Sequence, residues 1–475
     1  MINIEQHEDL LKVSYINSDG NVELMGIQVP EKEKFKWEYA NVKKSKNYIS
    51  WDGKPVKKTR ARFLNKFRMT EFLWNQPKEV QDVIFGYNKP NMYFVDIETE
   101  ILDEFPSPKN PKAKITCITF ADENSNVLTL ALKELSPKRV DQIEKKLNAY
   151  FKDFGYDINY EYISYKTEFD MLYTFLKKFA KKMPLITGWN FTSFDWSYIM
   201  ARSKKLGIDT GICSITGTLY DMAQSPLDPK APREIIKLPM HKIIVDYLQV
   251  YKRWDYVVSP KESDTLDWVS QKVLGVKKLH YNGTLTDLER DYYDDYILYN
   301  SIDAYLVKLL HEKLNSVAPY LALGSLTRVE HHKVYASSAM ISNILCMELL
   351  KLNKILIPKD YSSDGKGYKG AFVFPVEPGF HKWLLTFDFA SLYPTTIRQH
   401  NISPELYLGK IDKIPKKLDP NIIYCASGAT FRNDIEGALP ILSTKIYSDR
   451  KNAKTNYGEL EAEIKELKMI LKNKN

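Results

Sequence analysis

Apolar residues along this chain fall into two patterns. One is the short uninterrupted run of a buried strand; the other is the return every three or four residues of an amphipathic helix. After the turn signal Asn88-Lys89-Pro90 comes MYFVDIETE, an apolar strand that stops abruptly in acidic residues. Between Ile115 and about Leu310 the strand-like runs ITCITFA, PLITGWN and KIIVDYL alternate with helical patterns at Asp170 to Lys182 and Phe194 to Leu206. That alternation predicts one α/β layered domain. Within it, REIIKLPMHKIIVDY reads as two short strands around Leu238-Pro239-Met240, a candidate hairpin in which the proline weakens the inner strand. Helical patterning resumes from Asp291 to about Leu314 and again from Thr327 to Lys351. The turn-rich SSDGKGYKGAFVFPVEPG then leads as a linker to an expected strand, WLLTFDFA. From Thr444 to Asn475 the pattern is the most regular of all: Tyr457, Leu460, Ile464, Leu467 and Leu471 form an apolar seam on one long helix.

Length and composition narrow the class. The chain has 475 residues, 44% of them hydrophobic, enough for about three domains. Lys plus Arg number 68 against 60 Asp plus Glu, a formal +8 that suits a polyanionic partner without demanding one. Between Lys54 and Arg68 the chain is rich in Lys and Arg and interrupted by aromatics; this is either a nucleic-acid face or a solvated surface, and for any single run the second is the commoner outcome. Cys117, Cys213, Cys346 and Cys425 stand singly, which suggests neither a zinc site nor a disulfide framework and fits a reducing compartment. The N-terminus has no signal-peptide design, and no apolar run approaches the roughly 20 residues that span a bilayer. A cytoplasmic protein is expected, in the cytoplasm of an infected host cell if the chain is viral.

Candidate chemistry lies where strands end in acids. Asp96 and Glu98 are two apart on a strand, so both side chains leave one face and can hold a divalent cation through oxygen. The D-x-E pattern alone is cheap, since Asp287/Glu289 and Asp434/Glu436 repeat it. Neither repeat follows a buried strand, and neither is expected to bind metal. Downstream, GWNFTSFDWSYI closes an apolar stretch on Asp195 at a helix start, with Phe194 and Trp196 as anchors. YNSIDAYLVKLL then sets Tyr299 and Asp303 four apart on one helix face. Tyr-x-x-x-Asp is equally cheap, matched by Tyr15/Asp19 and Tyr251/Asp255; the order and context of the three segments together are specific. Four converging carboxylates repel unless cations neutralise them, which suits phosphodiester cleavage with two ions, Mg²⁺ or Mn²⁺, roughly 3.5 to 4 Å apart. Tyr299 is then placed to position the attacking water.

FVDIETE, NFTSFD and YNSID resemble the three motifs of the DEDD superfamily of 3′→5′ exonucleases, in the tyrosine-containing branch found in family B DNA polymerases. The resemblance implies an RNase H-like exonuclease domain. A second constellation, FDFASLYPTTIRQHNISPE, resembles polymerase motif A of that family, and NISPE and YKGAFV are similar to its tailed-phage members. By that resemblance Asp388 carries a catalytic Mg²⁺, the amides of Ser391 and Leu392 receive the triphosphate, and Tyr393 packs under the deoxyribose. Arg450 and Lys454, four apart on the last helix, would face the incoming dNTP as basic residues of the first fingers helix do, although a solvated face reads almost as well.

The fold class expected is therefore α/β and multidomain. Residues 1–90 form a mixed N-terminal domain with a return segment near 335–380, 91–334 the exonuclease, 381–436 a partial palm and 437–475 the first fingers helix. The second fingers helix and the D-T-D palm strand of the family do not occur in the sequence. The expectation is thus a DNA-directed DNA polymerase with proofreading exonuclease, acting on primer-template and single-stranded DNA. Its polymerisation would need a second polypeptide carrying the remaining fingers, palm and thumb. The alternatives are a stand-alone exonuclease, which needs no partner, and a nucleic-acid-binding regulatory protein, which needs no catalysis.

Overall fold

The computed structural model describes residues 1–40, 48–102, 104–224, 234–254, 262–280, 284–355 and 372–474. It divides into two compact units, one of Met1–Glu33 with Phe72–Met340 and the other of Lys34–Glu71 with Ile341–Asn475. The first 90 residues are thus shared between units rather than kept as one block. No described helix is long and apolar enough to cross a membrane.

The first unit is built on a six-stranded sheet. Its strands are β1 (Met92–Thr99), β2 (Ile115–Asp122), β3 (Asn126–Ala131), β4 (Asn159–Ser164), β5 (Leu185–Gly188) and, after the pair β6 (Leu219–Gln224) and β7 (Glu234–Pro239), β8 (Ile243–Asp246). The spatial order is β4-β3-β2-β1-β5-β8. β2 pairs antiparallel with both neighbours, while β5 runs parallel to β1 and β8. β2 is buried along nearly its whole length, as befits a strand covered on both faces. Helices α1 (Pro137–Tyr150) and α3 (Tyr293–Leu314) cover one face; α2 (Asp195–Lys205) and the helical turns of Glu168–Ala180 cover the other.

The pleat decides which residues of β1 face which layer. Met92 and Phe94 join the core under α3, and Val95 and Ile97 the core under α2. Asp96 and Glu98 continue the first series, so both carboxylates emerge toward α3. That helix is buried on nearly all sides of its 22 residues, polar Asn300, Ser301, Asp303 and Lys308 included. At the opposite flank Gly188 closes β5 so near β1 that a Cβ would lie 2.3 Å from the Val95 carbonyl. Only glycine permits that approach.

Several expected elements come out differently. β7 and β8 do not form a hairpin with each other: β7 pairs antiparallel with β6, and β8 joins the main sheet. Pro239 ends β7, and His241 at φ 62° turns the chain between them. The stretch expected to be helical from Thr327 begins only at Ser337, because Arg328 at φ 53° caps the preceding helix, Val317–Thr327.

In the second unit, Phe35–Tyr39 pairs with Val56–Arg60, and a three-stranded antiparallel sheet joins Tyr407–Lys410, Ala429–Arg432 and Ile422–Tyr424. Part of the basic stretch is occupied internally: Lys58 lies over the Phe35 ring at 4.2 Å, and buried Arg68 pairs with Glu71 at 2.7 Å and covers Phe35. The linker segment 356–371, with most of YKGAFV, lies outside the described residues. WLLTFDFA is not a strand; residues 372–389 have no regular secondary structure and their side chains are exposed. A strand exists only with a ladder partner for its N–H and C=O groups, and among the described residues this stretch has none. Helix α4 (Leu392–Gln399) follows, and α5 runs 37 residues from Ala438 to Lys474, starting six residues before the periodic pattern suggested. The seam of α5 is exposed, with Leu460 58% and Leu467 52% accessible.

Candidate active site

Three elements of the first unit bring the predicted exonuclease residues together. β1 supplies Asp96 and Glu98; α2 supplies Asp195 in its first turn, where a carboxylate suits the helix dipole; α3 supplies Tyr299 and Asp303. Asp195 is tied to β1 directly, its Oδ1 accepting the Ile97 N–H at 3.2 Å. Asp96 Oδ2 accepts a hydrogen bond from Asn300 Nδ2 at 2.7 Å. Asp195 and Asp303 are each 4% exposed, whereas Asp96 and Glu98 keep part of their side chains open to solvent.

Burial and mutual repulsion act on every acid of the cluster. Burial, then the charges of Asp195, Asp303 and Glu98, hold Asp96 well above the carboxylate range. Burial and Asp303 push Glu98 up to about 8. Burial pushes Asp195 to about 8 against the opposing hydrogen bond from Ile97. Asp303 is raised by burial and partly relieved by Lys278. Fully ionised, the cluster would carry more negative charge than its own groups neutralise, so without a bound cation the folded state favours keeping protons on these acids.

Among the described residues the cation that offsets this charge is Lys278, which the sequence motifs do not mark. Lys278 donates to Asp303 Oδ2 and, at 3.4 Å, to the Tyr299 hydroxyl. Burial works to lower its pKa, but Asp303, Tyr299 and Asp96 hold the ammonium above its ordinary value. Burial, then Asp303, raises the Tyr299 phenol, which stays protonated at neutral pH. Asp246, at the end of β8, is a second omission: its Oδ2 accepts the Thr192 N–H and hydroxyl, each at 3.0 Å, and so fixes the NFTSFD turn. KIIVD ends in an acid just as MYFVD does, and that signal was available. Phe105 is the third, 85% exposed with its ring 5.9 Å from Phe194; a lone aromatic in a loop announces nothing.

The donor set fits a divalent cation. Among the described residues Asp303 Oδ1 is buried with no hydrogen-bond partner, and hard carboxylate oxygens with raised pKa values are what such an ion would relieve. Among the described residues, however, no three acidic, His or Cys side chains close on one point. The acids converge as charges rather than as a finished ligand cage. The aspartates of the spare D-x-E pairs have other partners, since Asp287 caps its helix with Thr284 and Asp434 binds Arg432, while the charge of Glu289 reaches Glu98.

In the second unit Asp388 stands on the irregular exposed stretch, not at a strand end. Ser391, at φ 53°, starts α4, with Leu392 and Tyr393 exposed in its first turn. α4 packs on the start of α5: Arg398 lies 4.6 Å over the Tyr447 ring. Arg450 and Lys454 follow on the exposed part of α5.

Comparison with known proteins matches these features. The family model for the DNA polymerase family B exonuclease domain matches residues 69–267, and that for DNA polymerase family B matches residues 329–474. The DNA-directed DNA polymerases of Escherichia phage RB69 and Enterobacteria phage T4 are 28% and 27% identical over 78% of this chain. The DNA polymerase delta catalytic subunit of Caenorhabditis elegans is 31% identical over 60% of it. The matched region spans 43% of each phage relative and 27% of the nematode one. With two family models following one another along the sequence and the motif acids gathered around the end of β1, the chain belongs to family B of the DNA polymerases.

Proposed function

We propose that the first unit removes nucleotides from the 3′ end of DNA by metal-assisted phosphodiester hydrolysis, as the proofreading activity of a replicative DNA polymerase. The observation that carries this is the convergence of Asp96, Glu98, Asp195 and Asp303, raised in pKa and offset by one lysine. Exonuclease domains of this family are generally dependent on divalent metal, and these four residues would hold two ions of Mg²⁺ or Mn²⁺. Bound there, such ions would supply Lewis-acid activation of a water and positive charge for the leaving oxygen. The protein's own groups do the rest. Tyr299, held protonated, donates to and positions the attacking water. Lys278 keeps a positive charge beside the phenol and the Asp303 carboxylate. Phe105 and Phe194 offer rings on which an unpaired base can stack, which favours single-stranded or frayed ends. Changing Asp96 and Glu98 together to Ala should nearly abolish cleavage of a labelled single strand in Mg²⁺; a double variant as fast as the parent would refute the assignment.

For the second unit the reading is nucleotide addition at a centre only partly contained in residues 1–475. Asp388 would bind one Mg²⁺, Ser391 and Leu392 the triphosphate, Tyr393 the deoxyribose, and Arg450 and Lys454 the incoming dNTP. The exposed seam of α5 and the unpaired stretch around Asp388 support docking of further fingers, palm and thumb residues there. A separate polypeptide is the arrangement to test: residues 1–475 alone should cut DNA without extending it, and extension should appear on mixing. Extension by residues 1–475 alone would refute it.

A further inference from the structure

The acids of the exonuclease centre are held by a group that is neither an acid nor a base. Asn300 follows Tyr299 on α3 and precedes Asp303 by less than one turn, yet it is 0% exposed and faces the sheet. Its Nδ2 donates to Asp96 Oδ2 at 2.7 Å, and its Oδ1 accepts from the thiol of Cys117 at 3.6 Å. Cys117 is also 0% exposed and sits on β2, in register with Glu98. One amide thus joins β1, β2 and α3 directly behind the carboxylates, with both of its polar ends engaged.

We infer that Asn300 is a positioning residue for the exonuclease centre: its amide pins one oxygen of Asp96, leaving the other for a cation, and Cys117 fixes which way the amide is turned. The inference rests on the reading of Asp96 as a metal-holding residue. A carboxylate has two equivalent oxygens and a χ2 that turns through a broad, shallow well, so an unpinned Asp presents no defined ligand. A buried N–H at 2.7 Å removes that freedom. The thiol matters because an amide is nearly symmetric in shape: turned over, it would aim its carbonyl at Asp96 and leave the carboxylate a repulsive neighbour. Other side chains fail here for stated reasons. Asp would add a fifth carboxylate to a cluster already overcharged, Gln would carry the donor one methylene too far, and Leu would fill the space without donating. Groups that orient metal ligands typically change metal affinity or activity about 10- to 100-fold when removed.

The test compares the full chain with Asn300→Leu and Cys117→Ala. Two curves against MgCl₂ concentration are recorded for each: the rise in melting temperature without DNA, and the initial rate of cleavage of a labelled single strand. For Asn300→Leu the half-saturating Mg²⁺ concentration should rise roughly 10-fold or more in both curves. At saturating Mg²⁺ its KM for the strand should stay within about two-fold, a split that general loosening of the fold would not give. Cys117→Ala, which frees the amide to turn, should shift both midpoints in the same direction by a smaller factor, about three-fold. Should Asn300→Leu fail to fold, Cys117→Ala decides, and an unshifted midpoint there overturns the inference. A responsive parent with an Asn300→Leu midpoint equal to its own overturns the positioning role alone. A parent neither stabilised nor activated by Mg²⁺ overturns the carboxylate reading and this inference with it.

Discussion

Asp195→Asn should make the metal-free protein more stable, and by an amount that grows with pH. Asp195 is 4% exposed and its pKa rises from 3.8 to about 8, chiefly by burial. For an acid raised in the folded state, the contribution to stability is fully present below the unfolded pKa and is lost as pH climbs through the folded one. The parent in EDTA should therefore lose stability between about pH 4 and pH 8. One such group costs about 1.4 kcal/mol per pH unit across that window, so between pH 5.5 and 8 the variant should gain roughly 3 kcal/mol on the parent. Asp96, Glu98 and Asp303 titrate together with it and share protons, which brings the expectation down to about 2 kcal/mol. For a unit of this size that is a difference of about 3 °C in melting temperature. The assay is thermal unfolding in EDTA from pH 5 to 8.5, repeated in Mg²⁺, where the parent should recover at high pH and the variant should gain much less. Parallel pH profiles for the two proteins in EDTA would refute the charge-repulsion account of the site.

Three further expectations follow from the same structure. Glu168 and Arg202 form a bidentate pair at 2.7 and 2.8 Å, both under 9% exposed, and Arg202 also donates to the carbonyls of Pro111 and Lys112. Removing one partner with Glu168→Leu should cost about 3 to 5 kcal/mol in urea unfolding, and a loss under about 1 kcal/mol would contradict that account. Gly188→Ala should lower the melting temperature and the cleavage rate together, because its Cβ would lie 2.3 Å from the Val95 carbonyl beside the site; unchanged values would show that the strands separate freely. Asp287→Ala should lower the melting temperature slightly through loss of its half of the capping box with Thr284, while cleavage stays within a few-fold; a collapse in cleavage with folding intact would place the metal at Asp287 and Glu289 instead.

What the sequence revealed of the exonuclease unit follows from where its information is local. An apolar strand ending in acids, an acid opening a helix, and a Tyr and Asp four apart are each written in consecutive residues, and the fold brings them together as that pattern implies. Lys278 carries no such mark: it stands in VKKLHY beside an equally basic Lys277, and only the tertiary structure selects it. Strand pairing was legible where a turn joins neighbours and illegible where it does not. The apolar run of β7 predicted a strand correctly, but whether β6 or β8 would pair with it depends on the turn at His241 and on a partner upstream. The Asp388 stretch failed for the opposite reason, since its apolar run is a good strand sequence without a described ladder partner. The long final helix shows its period only from Thr444, while the bound of 437 expected for the first fingers helix lies one residue before its start at Ala438.

The 22 residues of α3 carry Tyr299, Asn300 and Asp303 within five consecutive positions, and the helix is clamped into the core from Tyr296 to His311. A change in its rotation by a single residue would swing all three groups by about 100° at once. Length changes in the loops that follow β1 or α2 can be absorbed locally, but an insertion inside α3 cannot. The unit should therefore behave in insertion scanning like a lock with one rigid bar: tolerant along its surface loops, and inactivated wholesale, without intermediate values, by any one-residue insertion between Tyr293 and Asp303.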